Sequence, residues 1–150
     1  MRDSMKIAVG ADHAGFDLKQ LVVEHLLERG YEIIDFGTDN DESTDYPDHG
    51  APAARAAVSG EADRAILFCG SGQGMCMVAN KVHGVRAALV WDREIARLSR
   101  AHNNANVLCL PGRFVAPDDA IDIVDDWLVE GYEGGRHERR VTKMMQLEEE

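Results

Sequence analysis

Residues 65–74 read AILFCGSGQG, an apolar run of five residues followed by a loop that contains three glycines. A short run that is apolar at every position is typical of a strand buried on both faces of a parallel sheet. Residues 75–82 are then expected to form a helix directly after the loop. A buried strand that passes through a short loop into a helix is the repeating unit of α/β folds with parallel sheets. The stretch therefore predicts an α/β fold.

The same alternation continues on both sides of this stretch. Strands are predicted over residues 5–10, 31–37, 65–69, 85–91 and 106–110, and helices over residues 16–27, 51–58, 75–82, 93–101 and 118–130. An acidic loop through Pro47 separates the second strand from the second helix. No linker, repeat or low-complexity tract interrupts the pattern, so residues 1–150 are expected to form one domain. The predicted fold is a single doubly wound, mostly parallel five-stranded sheet with helices on both faces, Rossmann-like, plus a C-terminal helix over about residues 134–147.

Composition excludes several classes of protein. An apolar fraction of 45% is normal for a folded domain of 150 residues, and no apolar run approaches the roughly 20 residues that cross a bilayer. The opening residues show no signal segment, so a cytoplasmic location is expected. Three cysteines without a CxxC pair argue against a disulfide scaffold or a zinc ribbon. A net charge of −11 argues against nucleic-acid and anionic-membrane partners.

One basic cluster stands out in this acidic chain, over residues 136–143. Arg136 and Arg140 are four residues apart, so on a helix they share one face, where they could fork around a phosphate. A small anionic ligand and a merely solvated helix face are both compatible with this cluster.

Polar residues gather where the predicted strands end. In a doubly wound sheet, ligands bind beyond the carboxyl ends of the strands. Four clusters are expected at this rim of the sheet: Asp12 with His13, Cys69 with Gly70 to Gly74, His102 with Asn103, and Gly112 with Arg113.

The glycine loop opens the third helix, where its backbone N–H groups suit an anion or a developing oxyanion. It matches neither the P-loop nor the dinucleotide fingerprint GxGxxG, which disfavours ATP and NAD. A tight strand-to-helix turn without any ligand is the simpler alternative.

Cys69 lies between a strand end and a helix N-terminus, a position expected to lower its pKa toward neutrality. Its thiolate could act as a nucleophile or as a base, although a buried inert cysteine is the commoner case. A cysteine phosphatase is disfavoured, because Met75 occupies the place of its phosphate-binding arginine. His13 and His102 could work as acid–base groups. No metal-ligand spacing is present, so no metal is predicted.

Six segments together carry a resemblance that covers residues 5–145: GADHAGF (10–16), TDYP (44–47), CGSGQG (69–74), ANK (79–81), RAHN (100–103) and EGGRH (133–137). The chain closely resembles the ribose-5-phosphate isomerase B family, which also includes galactose-6-phosphate isomerase subunits and allose-6-phosphate isomerase.

The resemblance implies an aldose–ketose isomerase of the pentose phosphate pathway that needs no cofactor. Cys69 would be the base that moves a proton between C2 and C1 of the open-chain sugar. Ser71 and the amides of Gly70, Gly72 and Gly74 would stabilise the enediolate. The remaining roles would be ring opening by His102 with Asp12, phosphate binding by His13, Arg113, Arg136 and Arg140, a sugar contact from Asn103, and a pocket wall from Tyr46. Some relatives carry a glutamate base where this chain has Met75.

The resemblance also implies sites shared across a homodimer interface, with the C-terminal segment reaching the partner; a tetramer is left open. The substrate is ribose 5-phosphate by resemblance, and a hexose 6-phosphate or a tetrose phosphate remains an alternative. Two further classes of protein are compatible with the pattern, a non-catalytic sugar-phosphate sensor and a flavodoxin-like interaction domain. The presence of both Cys69 and His102 disfavours the sensor, and the lack of a phosphoacceptor aspartate after the third strand disfavours the interaction domain.

Overall fold

The structure is a computed structural model that describes residues 5–150. Residues 1–4, on which the expectation of no signal segment rests, lie outside that range. Five strands form one sheet in the order β2-β1-β3-β5-β4. Their bounds are β1 Lys6–Ala11, β2 Glu32–Asp35, β3 Arg64–Cys69, β4 Ala87–Leu89 and β5 Val107–Pro111. Every neighbouring pair is parallel, so the sheet is parallel throughout and not just for the most part.

Six α-helices surround the sheet: α1 Phe16–Glu28, α2 Tyr46–Ser59, α3 Gln73–Ala79, α4 Arg93–Ala101, α5 Pro117–Val129 and α6 Arg136–Gln146. Successive residues of a strand point to opposite faces. In β1, Ile7 packs with α1 and α5, whereas Ala8 packs with α2 and α3 on the other face. The predicted α/β fold with helices on both faces and a C-terminal helix is confirmed.

The second helix is longer than the sequence suggested. It begins at Tyr46, not at residue 51, and takes in most of what the sequence assigned to the end of an acidic loop. Pro47 ended the predicted loop, but it lies in the first turn of α2, where its missing N–H has no partner within the helix to lose. Strand β4 is shorter than predicted, with three residues. The longer helix α2 carries Tyr46 and His49 on its first turn.

The length and the apolar character of the helices show whether any of them could span a membrane. Within residues 5–150, none of the helices combines the length and the apolar character needed to cross a bilayer.

A buried lysine fixes the chain after β2. The Lys19 side chain is fully buried, and its Nζ donates to both carboxylate oxygens of Asp35 at 2.7 and 2.8 Å and to the carbonyl of Thr38 at 2.6 Å. The Asp35 side chain is 40% exposed, so water can reach one partner of the pair but not the other. The pair therefore ties α1 to the loop that follows β2.

We expect Asp35→Ala to destabilise the protein more than Lys19→Met. The first change leaves an ammonium group buried with one carbonyl partner, which costs about 3–5 kcal/mol. The second change leaves a carboxylate that water can hydrate, so the loss of stability is smaller. Urea unfolding followed by circular dichroism measures both free energies of unfolding. Equal losses would show that the burial of Lys19 does not govern the pair.

Candidate active site

Three of the four predicted clusters meet at the carboxyl edge of the sheet. Cys69 ends β3 and lies in register with Pro111 at the end of β5. The amide of Asp12 donates to the carbonyl of Phe68 at 3.2 Å, and the amide of Gly112 donates to the carbonyl of Cys69 at 2.8 Å. The segments after β1, β3 and β5 are therefore hydrogen-bonded neighbours around Cys69.

The glycine loop is closely packed by two candidate side chains. Gly72 has a φ of +76°, and a Cβ there would meet a Leu89 methyl carbon at 2.5 Å. A Cβ at Gly74 would lie 2.8 Å from the ring of Tyr46, and one at Gly70 would lie 3.3 Å from Nη1 of Arg113. Glycine is therefore required at Gly72 by conformation and by space. Tyr46 and Arg113 both border the glycine loop.

The Cys69 thiol is enclosed by backbone amides and lies near a carboxylate. Amides of Met75, Gly72 and Gly74 hydrogen-bond to it and lower its pKa. Burial, which leaves Cys69 5% exposed, raises the pKa by a larger amount, and the charge of Asp12 raises it further. The net pKa lies above the usual value of 9.0. The expectation of a lowered pKa is therefore wrong in direction, because sequence reasoning counted the helix N-terminus and not the loss of water.

The side chain of Met75 belongs to the apolar core. It is fully buried in the apolar layer between the sheet and α2, where a Cβ at Gly50 would meet its sulfur at 2.5 Å. Its backbone amide is the part of Met75 that reaches Cys69. Position 75 thus offers no acid–base group to the site.

Asp12 and His13 are held by the turn after β1. Oδ1 of Asp12 accepts hydrogen bonds from the amides of Ala14 and Gly15, both at 3.0 Å. Nδ1 of His13 accepts one from the amide of Thr44 at 3.2 Å. Asp12 is therefore fixed beside the thiol, and His13 is tied to the chain that leads into α2.

His102 and Asn103 lie at the opposite edge of the sheet. His102 follows the last residue of α4, and the chain then leads through Asn106 into the start of β5. The carbonyl of Asn106 accepts a hydrogen bond from the amide of Ala65, which lies at the start of β3. A strand of five residues separates that edge from Cys69 by about 16 Å. The prediction of one common rim is therefore wrong for these two residues within a single chain. A helix that follows a parallel strand runs back along the sheet, so its last residue returns to the edge where the strands begin.

His102 has two neighbours that sequence reasoning did not assign to the site. Its ring stacks on that of His137, with ring centres 4.2 Å apart and planes 12° from parallel. A carboxylate oxygen of Glu133 lies 3.4 Å from Nε2 of His137 and 3.9 Å from Nε2 of His102. Glu133 lies before the start of α6, so helical spacing in the sequence gave no signal that pairs it with His137.

This cluster also bears on the prediction of no metal. His102, Glu133 and His137 offer ligand atoms within 4.8 Å of one another. A metal ion lies in the ring plane of an imidazole that binds it, and nearly parallel stacked rings share no such point. The cluster would therefore hold an ion only after one ring rotates.

The two arginines of the C-terminal helix share a face, as their spacing predicted. His137 and Val141 are the buried residues of α6, whereas Arg136 and Arg140 are exposed. Neither arginine forms an ion pair with any residue between 5 and 150. Because His137 stacks on His102, the start of α6 also belongs to the edge away from Cys69.

Similarity to known proteins places the chain in a family. The sequence profile described as Ribose/Galactose Isomerase matches residues 7–144. The ribose-5-phosphate isomerase B of Escherichia coli K12 is 48% identical over 144 residues, which cover 96% of this chain and 97% of that protein. The chain belongs to the ribose/galactose isomerase family. The resemblance inferred from the six segments is confirmed, and so is the expectation of an isomerase.

Solved structures of the family agree with the fold of this isomerase. Ribose-5-phosphate isomerase B of Clostridium thermocellum superposes with a TM-score of 0.95 at 51% identity, covering 97% of this chain and 98% of that one. The Mycoplasma genitalium enzyme, solved with bound ribulose 5-phosphate, gives a TM-score of 0.93 at 44% identity and covers 99% of both chains. At this level of similarity, the family assignment extends over nearly the whole chain.

Proposed function

We propose that this isomerase interconverts ribose 5-phosphate and ribulose 5-phosphate through an enediolate, with Cys69 as the base. The observation that carries the proposal is the Cys69 thiol at the end of β3, inside a loop whose amides point at it and beside a carboxylate. Support for the substrate comes from the E. coli relative and from the ribulose 5-phosphate bound to the M. genitalium enzyme.

The proposed chemistry moves one proton from C2 to C1 and one from O2 to O1, and it moves no carbon or oxygen atom. The thiolate of Cys69 removes the proton from C2 of the open-chain aldose, and the C–H electron pair forms the C1–C2 double bond while the carbonyl π electrons move onto O1. Transfer of the O2 proton to O1 moves the negative charge to O2, and as the C2–O2 carbonyl forms, C1 takes back the proton held by Cys69, which gives the ketose and restores the thiolate. Loop amides and the Ser71 hydroxyl stabilise the oxyanion between these steps, because aligned donors lower the energy of a charge that develops beside them.

The burial of the side chain at position 75 supports a cysteine base. A glutamate there would have to lie in an apolar layer, at a position where Met75 is fully buried. Burying a carboxylate without a partner is costly. Among the side chains around the glycine loop, Cys69 and Asp12 are the groups placed to accept a proton, and Asp12 is engaged by two amides.

We further propose that a second copy of the chain completes each site. The roles expected of His102 and Asn103 in sugar binding and ring opening, and of Arg136 and Arg140 in phosphate binding, require these groups near Cys69. They lie instead at the far edge of the sheet in their own chain, where the two arginines are exposed and form no ion pair with any residue between 5 and 150. In a homodimer the far edge of one subunit would face the glycine loop of the other, where His13 and Arg113 complete the phosphate site.

The test of the proposal is an assay of purified protein with ribose 5-phosphate, without added metal or cofactor, that follows ribulose 5-phosphate. We expect turnover that is lost when the thiol is alkylated and protected when substrate is present during alkylation. A folded protein that turns over allose or galactose 6-phosphate, or a tetrose phosphate, but not ribose 5-phosphate would overturn the substrate. Binding of ribose 5-phosphate without conversion would indicate a sensor. The cytoplasmic location stays a prediction.

A further inference from the structure

A chain of hydrogen bonds links the end of β2 to His13 through the first turn of α2. Nδ1 of His49 lies 3.0 Å from the carbonyl oxygen of Phe36, and its Nε2 lies 3.0 Å from the hydroxyl of Thr44. The amide of the same threonine donates to Nδ1 of His13 at 3.2 Å. These groups form the His49 relay: the Phe36 carbonyl, His49, Thr44 and His13.

Donor and acceptor chemistry fixes the direction of each bond in the relay. A carbonyl oxygen can only accept, so Nδ1 of His49 carries its proton. In the neutral ring, Nε2 of His49 is then an acceptor, and the Thr44 hydroxyl donates to it. Nδ1 of His13 accepts an amide N–H and so has no proton of its own. The neutral His13 ring is therefore held with its proton on Nε2.

The space around His49 shows that its position is built into the fold. A Cβ at Gly37 would lie 2.9 Å from Nδ1 of His49, and a Cβ at Gly10 would lie 2.5 Å from the His49 carbonyl oxygen. His49 therefore packs closely against two glycines, one after β2 and one in β1, where any side chain would collide with it. The imidazole is held by backbone contacts at one end and by a single threonine at the other.

We propose that His49 is a positioning residue, which fixes through Thr44 the ring orientation and tautomer of His13 and so presents an Nε2–H donor to the bound anion. His49 itself does not touch the ligand. Thr44 hydrogen-bonds to His49 with its hydroxyl and to His13 with its amide. A substitution of His49 that shifts Thr44 therefore also alters the hydrogen bond that orients His13. The identification of the anion as the substrate's phosphate rests on the proposed function. The tautomer of His13 is independent of that function.

The direct test is the imidazole nitrogen spectrum of ¹⁵N-labelled protein, with His13 assigned by its loss in His13→Ala. We expect the Nε2–H form of His13 in the unmodified protein and a mixture of tautomers in His49→Phe. Thr44→Val removes only the hydroxyl of the relay and should give the same mixture, which covers the case of a misfolded His49→Phe. An Nδ1–H form of His13, or an unchanged spectrum in both folded variants, would overturn the proposal.

Binding of inorganic phosphate, measured by calorimetry, provides a second test without any turnover. Loss of one organising hydrogen bond is expected to weaken phosphate binding by about tenfold in His49→Phe. Turnover should show a raised KM with kcat nearly unchanged. In the His13→Ala background the same change should have no further effect, whereas a general structural role would still add one. His83→Phe, at an exposed histidine, is the matched control. If ribose 5-phosphate is not a substrate, the spectrum and phosphate binding still decide the relay.

Discussion

Replacing Cys69 with alanine is expected to lower kcat for sugar-phosphate isomerisation by about 100- to 10,000-fold, the range that a positioned general base contributes. The thiol is the group that the loop amides surround at the end of β3, and alanine at position 69 cannot accept a proton. Initial rates at saturating substrate measure the effect. Binding of inorganic phosphate should stay within about twofold, because the phosphate site is formed by other side chains.

Cys76→Ala is the matched control for that experiment. Cys76 lies on α3, and its thiol donates to the carbonyl of Ala87 at 3.5 Å. Its loss should leave kcat nearly unchanged. Near-normal turnover in a folded Cys69→Ala protein would reject the base, and equal losses in both variants would indicate damage to the loop.

The pKa of the thiol sets the expected pH dependence of the unmodified enzyme. Burial and Asp12 raise this pKa above 9.0, so the protonated thiol predominates in the free protein at neutral pH. The base is the deprotonated form, and its fraction increases with pH until the pKa is passed. The value of kcat/KM should therefore rise between pH 7 and 9, and alkylation of Cys69 should accelerate in parallel.

The second large effect is expected when two inactive variants are mixed. Cys69→Ala lacks the base, and Arg136→Ala/Arg140→Ala lacks the phosphate arginines of α6. If each site combines Cys69 of one subunit with the arginines of the other, a mixed dimer has one site with both defects and one intact site. Random exchange makes half of the dimers mixed, so activity should recover to about a quarter of that of the unmodified enzyme.

Both outcomes of the mixing experiment are informative once exchange has been verified by native mass spectrometry. The arginine changes alter exposed side chains without ion-pair partners among residues 5–150, so the fold should be unaffected. Sites that lie within one chain would give no recovery, because no subunit would then be intact. A protein that remains a 16.5 kDa monomer would exclude shared sites altogether.

Local sequence patterns were sufficient to predict the architecture and the part of the site that surrounds Cys69. Short apolar strands such as residues 65–69 alternate with helices, and only a parallel sheet covered on both faces buries such strands completely. The carboxyl ends of parallel strands share one edge. The sequence therefore placed Asp12, Cys69 and Arg113 together, because each lies at the carboxyl end of its strand or within two residues of it. The extra turn of α2 at Tyr46 was missed, since Pro47 marks both a helix start and a break.

Three properties were decided only by the tertiary structure. His102 and the arginines of α6 lie at the edge away from Cys69, because the direction of α4 returns the chain to the start of the strands. The pKa of Cys69 moves up, because burial outweighs the loop amides, and burial depends on packing that no local pattern records. The His49 relay joins residues from the loop between β2 and α2, from α2 itself and from the turn after β1. The sequence alone thus determined which residues follow the strands, whereas packing determined which of them meet and how each holds its proton.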